Sequence, residues 1–188
     1  MNEDRIEPSA ARLPHLLNSI ALLGLFGFTG WAYPRLPGKI PVHFNAAGNP
    51  DCWAEKSWGI WLALPLVALG LTMFMYLVRW SMQGIRRNAR WVNIPHKAQF
   101  LALPPGRQVP IWQRLRMMFF WLAVPLNGLF IFLQVAIWKS ALGKGVPAAF
   151  PLATILFVVL ELGMVLFLTV RLSRSIRLAI EEHEREGR

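Results

Sequence analysis

Four long apolar runs alternate with polar, turn-rich or basic stretches along this chain: about Leu16–Tyr33, Trp58–Val78, Met117–Trp138 and Phe150–Val170. Each approaches or exceeds the roughly 18–20 apolar residues that cross the hydrocarbon of a bilayer. A soluble core in a chain of 188 residues has no use for four such runs. The pattern predicts an all-α membrane protein of four transmembrane helices, with an ordered extracytoplasmic loop between helices 1 and 2. It divides the chain into a short cytoplasmic N-terminus (1–13) and a unit of spans one and two around an outer loop at 34–57 (14–80). A basic cytoplasmic loop (81–116), a hairpin of spans three and four (117–171) and a helical tail (172–188) complete it.

Several local features refine the spans. Gly24, Gly27 and Gly30 share one broad stripe of span one, which predicts close approach of a neighbouring helix there. Pro65 predicts a kink in the outer third of span two. Trp58 and Trp61 at one end of that span, with Tyr76 and Trp80 at the other, form aromatic girdles. In the basic loop, residues 93–106 contain three prolines and read as an irregular segment on the headgroups, with Phe100, Leu101 and Leu103 dipping inward. Past span four, Leu172, Ile176 and Ile180 recur every four residues. Arg177 with Glu181 and Glu181 with Arg185 add i, i+4 pairs on an exposed helix.

The stretch Tyr33–Lys56, YPRLPGKIPVHFNAAGNPDCWAEK, is the one long polar segment that looks built. Pro34, Pro37 and Pro41 hold the backbone extended. Pro41-Val42-His43-Phe44 reads as a short extended run and Asn45 to Asp51 as a double turn. The pattern Leu36-Pro37, Ile40-Pro41, His43-Phe44-Asn45, Gly48, Asp51, Trp53 and Lys56 resembles a small bacterial membrane-domain family of unknown function. That domain also forms the front part of the SdpI-like immunity proteins, which are longer and have more spans. Outside this stretch the likeness continues in hydropathy and at Asn93-Ile94-Pro95-His96-Lys97.

Composition and charge sharpen topology. The formal net charge is +10. Arg79, Arg86, Arg87, Arg90, Lys97, Arg107, Arg114 and Arg116 crowd the middle loop without one acidic residue. The two opposite loops hold Arg35, Lys39, Lys56, Lys139 and Lys144. By the positive-inside rule both termini and the middle loop are cytoplasmic, and the resemblance implies a bacterial plasma membrane. The basic excess is then topology, with Arg86, Arg87 and Arg90 meeting anionic headgroups, and nucleic acid is not expected. Acidic residues before span one, and no small-residue cleavage site after it, predict a retained anchor rather than a signal peptide. Cys52 is the single cysteine.

Candidate chemistry is sparse. Glu161 falls near the middle of span four, where a lipid-facing carboxylate is expensive. Equal depth in an antiparallel hairpin pairs it with Asn127, and pairs Gln134 with Thr154, which predicts a polar seam between spans three and four. His43, Asp51 and Glu55, with Asn45, supply imidazole and oxygen groups. Their spacing matches no metal-ligand motif, so turn capping and bonds across the loop by His43 and Lys56 are the simpler reading. No set of residues suggests an enzyme, and neither cofactor nor metal is expected.

The resemblance implies a binding or sensing protein for an extracellular peptide or envelope stress, as in immunity to a peptide toxin. Its ligand-binding residues would be His43, Phe44, Asn45, Gly48, Asp51, Trp53 and Lys56. The basic loop would meet a cytoplasmic protein partner. The alternative is a small oligomeric, proton-linked transporter or transporter subunit that uses Glu161 with Asn127.

Overall fold

The computed structural model describes residues 8–85, 93–146 and 150–187. Helix α1 (Pro8–Ala32) leads through a 3-10 turn (Tyr33–Arg35) into strands β1 (Lys39–Phe44) and β2 (Pro50–Glu55). Then come α2 (Trp58–Ile85), a short α3 (Lys97–Ala102), α4 (Pro105–Ala141) and α5 (Phe150–Glu186). Helices α1, α2, α4 and α5 are long and apolar enough to cross a membrane. The four-span, all-α architecture expected from hydropathy is therefore present, and an antiparallel two-stranded sheet is a minor addition to it.

Helix α4 is the axis of the bundle, with α1, α2, α5 and β1 packed on it. Where it meets α1 and α2, polar side chains cross at two levels. Proline has no amide hydrogen, so Pro65 inside α2 leaves the carbonyl four residues earlier, that of Trp61, without its helical donor. Gln134 Nε2 on α4 donates to that carbonyl at 3.0 Å. The Trp61 indole in turn donates to the Thr29 carbonyl on α1 at 2.8 Å. Two helical turns along α4, about 10 Å away, Asn127 donates to Asn18 Oδ1 on α1 at 3.0 Å. Asn127 also accepts from the Thr72 hydroxyl on α2 at 3.2 Å, and Asn18 donates to the Phe120 carbonyl at 3.0 Å. Asn18, Thr72, Asn127 and Gln134 are all buried.

These bonds correct the expected seam. Asn127 and Gln134 do share one face of α4, but that face turns to α1 and α2 rather than to α5. Thr154 donates to its own helix, at the Phe150 carbonyl. Glu161 Oε2 is buried, and among the described residues it has no hydrogen-bond partner. The glycine stripe is corrected too. A Cβ at Gly24, Gly27 or Gly30 would meet nothing within 4 Å, so the stripe faces away from the described helices of this chain.

At the end of the bundle opposite the sheet, the polar linker is shorter than its sequence suggests. Helix α2 continues to Ile85, and α4 starts at Pro105, a residue whose fixed φ suits the first turn of a helix. Residues 97–102 form α3 rather than an irregular surface segment. Phe100 and Leu103 are buried with Ile111 and Trp112 of α4 and Leu172, Ile176 and Ile180 of α5, while Leu101 stays exposed. The four-residue repeat at the end of α5 therefore seats a small core. Arg107 completes it from outside by pairing with Glu186, and with Glu182 at 3.8 Å. Arg86, Arg87 and Arg90 lie outside the described residues.

Candidate binding surface at the hairpin cap

The sheet closes one end of the bundle as a hairpin cap, and its sequence explains its shape. The strands pair Lys39 with Glu55, Ile40 with Ala54, Pro41 with Trp53, His43 with Cys52 and Phe44 with Pro50, with the register shifting on either side of His43. β2 was legible only as turn and aromatic residues, because Asp51 and Glu55 are poor strand formers without a partner strand.

The tip is closed by Asn45. Its side-chain oxygen accepts from the backbone N–H groups of Ala47 and Asn49, both at 3.0 Å. The backbone adds Asn45 N to Asn49 O at 2.9 Å and Gly48 N to Asn45 O at 2.8 Å. Gly48 has φ +81°, and a Cβ there would come within 3.1 Å of Pro151 on α5. Glycine is needed at this position for both conformation and contact. Beside it the Phe44 ring lies 5.4 Å from that of Phe150.

The base is equally fixed. Leu36 and Ile40 are buried against Ala32, Trp61 and Ala141. Lys56 donates to the Leu36 carbonyl at 2.9 Å and sits over the Tyr33 ring, which stacks on Trp58 at 3.6 Å.

The seven ligand-binding residues that the resemblance implies thus fall into two groups. Phe44, Asn45, Gly48 and Lys56 build and dock the cap. His43, Asp51 and Trp53 remain exposed, joined on the surface by Val42 and Cys52. His43 Nδ1 donates to Asp51 Oδ1 at 2.5 Å, since a carboxylate can only accept. The expected cross-loop bonds are therefore present, but His43 partners Asp51 and Lys56 partners a carbonyl. Glu55 faces Lys39 at 4.0 Å. Among the described residues no three His, Cys, Asp or Glu side chains converge on one point. What the surface offers is an imidazole–carboxylate pair and an exposed indole on a rigid support, groups suited to hydrogen bonding and stacking.

Bundle and cap together define the class: a multi-pass membrane protein whose first two spans carry a docked β-hairpin. A family model described as a domain of unknown function, DUF1648, matches residues 20–69. The match runs from within α1 through the cap into α2 and leaves α4 and α5 outside. No curated protein and no solved structure matches the chain.

Proposed function

We propose that this is a bacterial plasma-membrane binding or sensing protein of the SdpI-like kind, with no reaction of its own. Its hairpin cap faces outward and meets an extracellular peptide, as in immunity to a toxin or in reporting envelope stress. Both termini and the basic segment up to Arg116 face the cytoplasm, where the latter can hold a protein partner. The observation that carries the reading is the division of the cap. Four of the seven implied binding residues are spent on rigidity, which leaves His43, Asp51 and Trp53 on an immobilised surface. Rigid presentation lowers the ordering cost of binding.

The test is a challenge of cells with a panel of membrane-active peptides, with and without this protein. A His43→Ala/Asp51→Ala/Trp53→Ala variant at unchanged membrane level should lose protection while the native protein gives it. Protection that survives in this variant, or that no peptide elicits, removes the reading.

The transporter alternative asks Glu161 and Asn127 to share one path. The Asn127 amide is engaged by Asn18 and Thr72, so the transport route would rest on Glu161 alone. Proton-dependent uptake into vesicles, lost in Glu161→Gln, is the result that would favour it.

A further inference from the structure

Between α4 and α5, at the end of the bundle away from the cap, lies an open groove of about 760 Å³. Its walls are mostly apolar, with Met117 and Trp121 from α4 and Met164 and Phe167 from α5. Arg114 and Arg171 also line it, and among the described residues no acidic one does.

The two arginines are available to a ligand in a way that nearby Arg107 is not. Arg107 is neutralised by Glu182 and Glu186. Arg114 donates to the Ser175 hydroxyl at 2.6 Å, and Ser175 donates to the Arg171 carbonyl at 2.9 Å. Those bonds tie Arg114 of α4 to the turn of α5 that carries Arg171, so both cations belong to one mouth. Among the described residues neither has an acidic partner. A guanidinium has five N–H donors, and the bond to Ser175 leaves most of those on Arg114 for a ligand.

Depth supplies the second half of the argument. Trp121 lies two turns along α4 from Arg114, and Met164 lies two turns back along α5 from Arg171, about 10 Å on each helix. The polar mouth therefore opens into an apolar channel whose length suits the upper part of an acyl chain. The channel borders the stretch of α5 in which no residue is buried. Flexible methionines suit a disordered chain better than a single rigid shape.

We propose that this groove binds one anionic phospholipid, with its phosphate between Arg114 and Arg171 and an acyl chain along Met117, Trp121, Met164 and Phe167. Basic pockets between membrane helices recognise headgroups in this way. The site is separate from the cap and stands whether or not the cap binds a peptide.

Native mass spectrometry of the full chain in detergent, titrated with dioleoylphosphatidylglycerol or dioleoylphosphatidylcholine, tests it. The expected result is phosphatidylglycerol binding about thirtyfold tighter, the scale set by two arginines at one headgroup. Arg114→Gln/Arg171→Gln should bring the two lipids to within about threefold, while Arg185→Gln on the exposed tail keeps the preference. Met164→Trp, which fills the channel and leaves both arginines, should weaken phosphatidylglycerol as well. Equal affinity for the two lipids, or a preference that persists in the double arginine variant, overturns the proposal. Displacement of the lipid by glycerol phosphate at similar concentration overturns it in favour of a free-anion site. A dimer in place of the lipid adduct overturns it in favour of a second copy on this face.

Discussion

The two sides of α4 are held by different means. Toward α1 and α2, side-chain hydrogen bonds cross three helices at two levels, through Asn127 with Asn18 and Thr72 and through Gln134 with Trp61. Toward α5 the middle of the interface is ring packing. Phe132 lies 5.6 Å from Phe157, and Gly128 leaves room for that ring. The buried residues of α5 are Phe150 at one end and Leu172, Ile176 and Ile180 at the other. Lipid tails are as apolar as leucine, so apolar burial alone does not drive helices together in a membrane, and close packing and hydrogen bonds do. The three-helix side is specified by directed bonds along its length. Helix α5 is specified at its ends, by the cap tip and by the small core around Phe100.

Substitutions that cut each side should differ accordingly. Asn127→Leu removes two interhelical bonds and strands Asn18 Oδ1 and the Thr72 hydroxyl. At about 1 kcal/mol per membrane hydrogen bond, reversible unfolding in bicelles should show a loss of about 2 kcal/mol. Gly48→Val forces an unfavourable positive φ, costing about 1–2 kcal/mol, and pushes on Pro151. Its effect should be local, read as faster amide exchange at residues 45–50 with the three-helix side unchanged. Gln134→Leu should cost about 1 kcal/mol, and much less when Pro65 is also alanine, because the Trp61 carbonyl then regains its helical donor. A double-mutant cycle without coupling would contradict the reading of Pro65. Glu161→Gln should cost the least, with no loss of stability, since among the described residues no partner holds its buried oxygen and a mid-span carboxylate is itself expensive. A large loss there would mean that α5 has a central polar anchor after all.

How much of this was legible varies by element. The four spans were, because hydropathy is a one-dimensional signal. The face shared by Asn127 and Gln134 was legible from helical spacing, but their partners were not. Adjacency in sequence pointed to α5, whereas the actual partners are Asn18, Thr72 and a backbone carbonyl. A carbonyl carries no residue signature, and the one clue to it was Pro65, four positions after Trp61. In the cap, the prolines announced extended chain and Asn45 and Gly48 announced the turn. The pairing that makes Pro50–Glu55 a strand is non-local, as is the contact of Gly48 with Pro151. The seven implied binding residues could be named from sequence, but their division into builders and exposed surface required the register.

The proline-orphaned carbonyl of Trp61 also constrains the history of this chain. A lineage acquiring Pro65 first would have carried a bare carbonyl in the bundle interior, and one acquiring Gln134 first would have buried an amide with nothing to hold. The two positions should therefore be inherited as a unit. Relatives with alanine or leucine in place of Pro65 should have lost the amide at the position of Gln134, and lineages caught between the two states should be scarce.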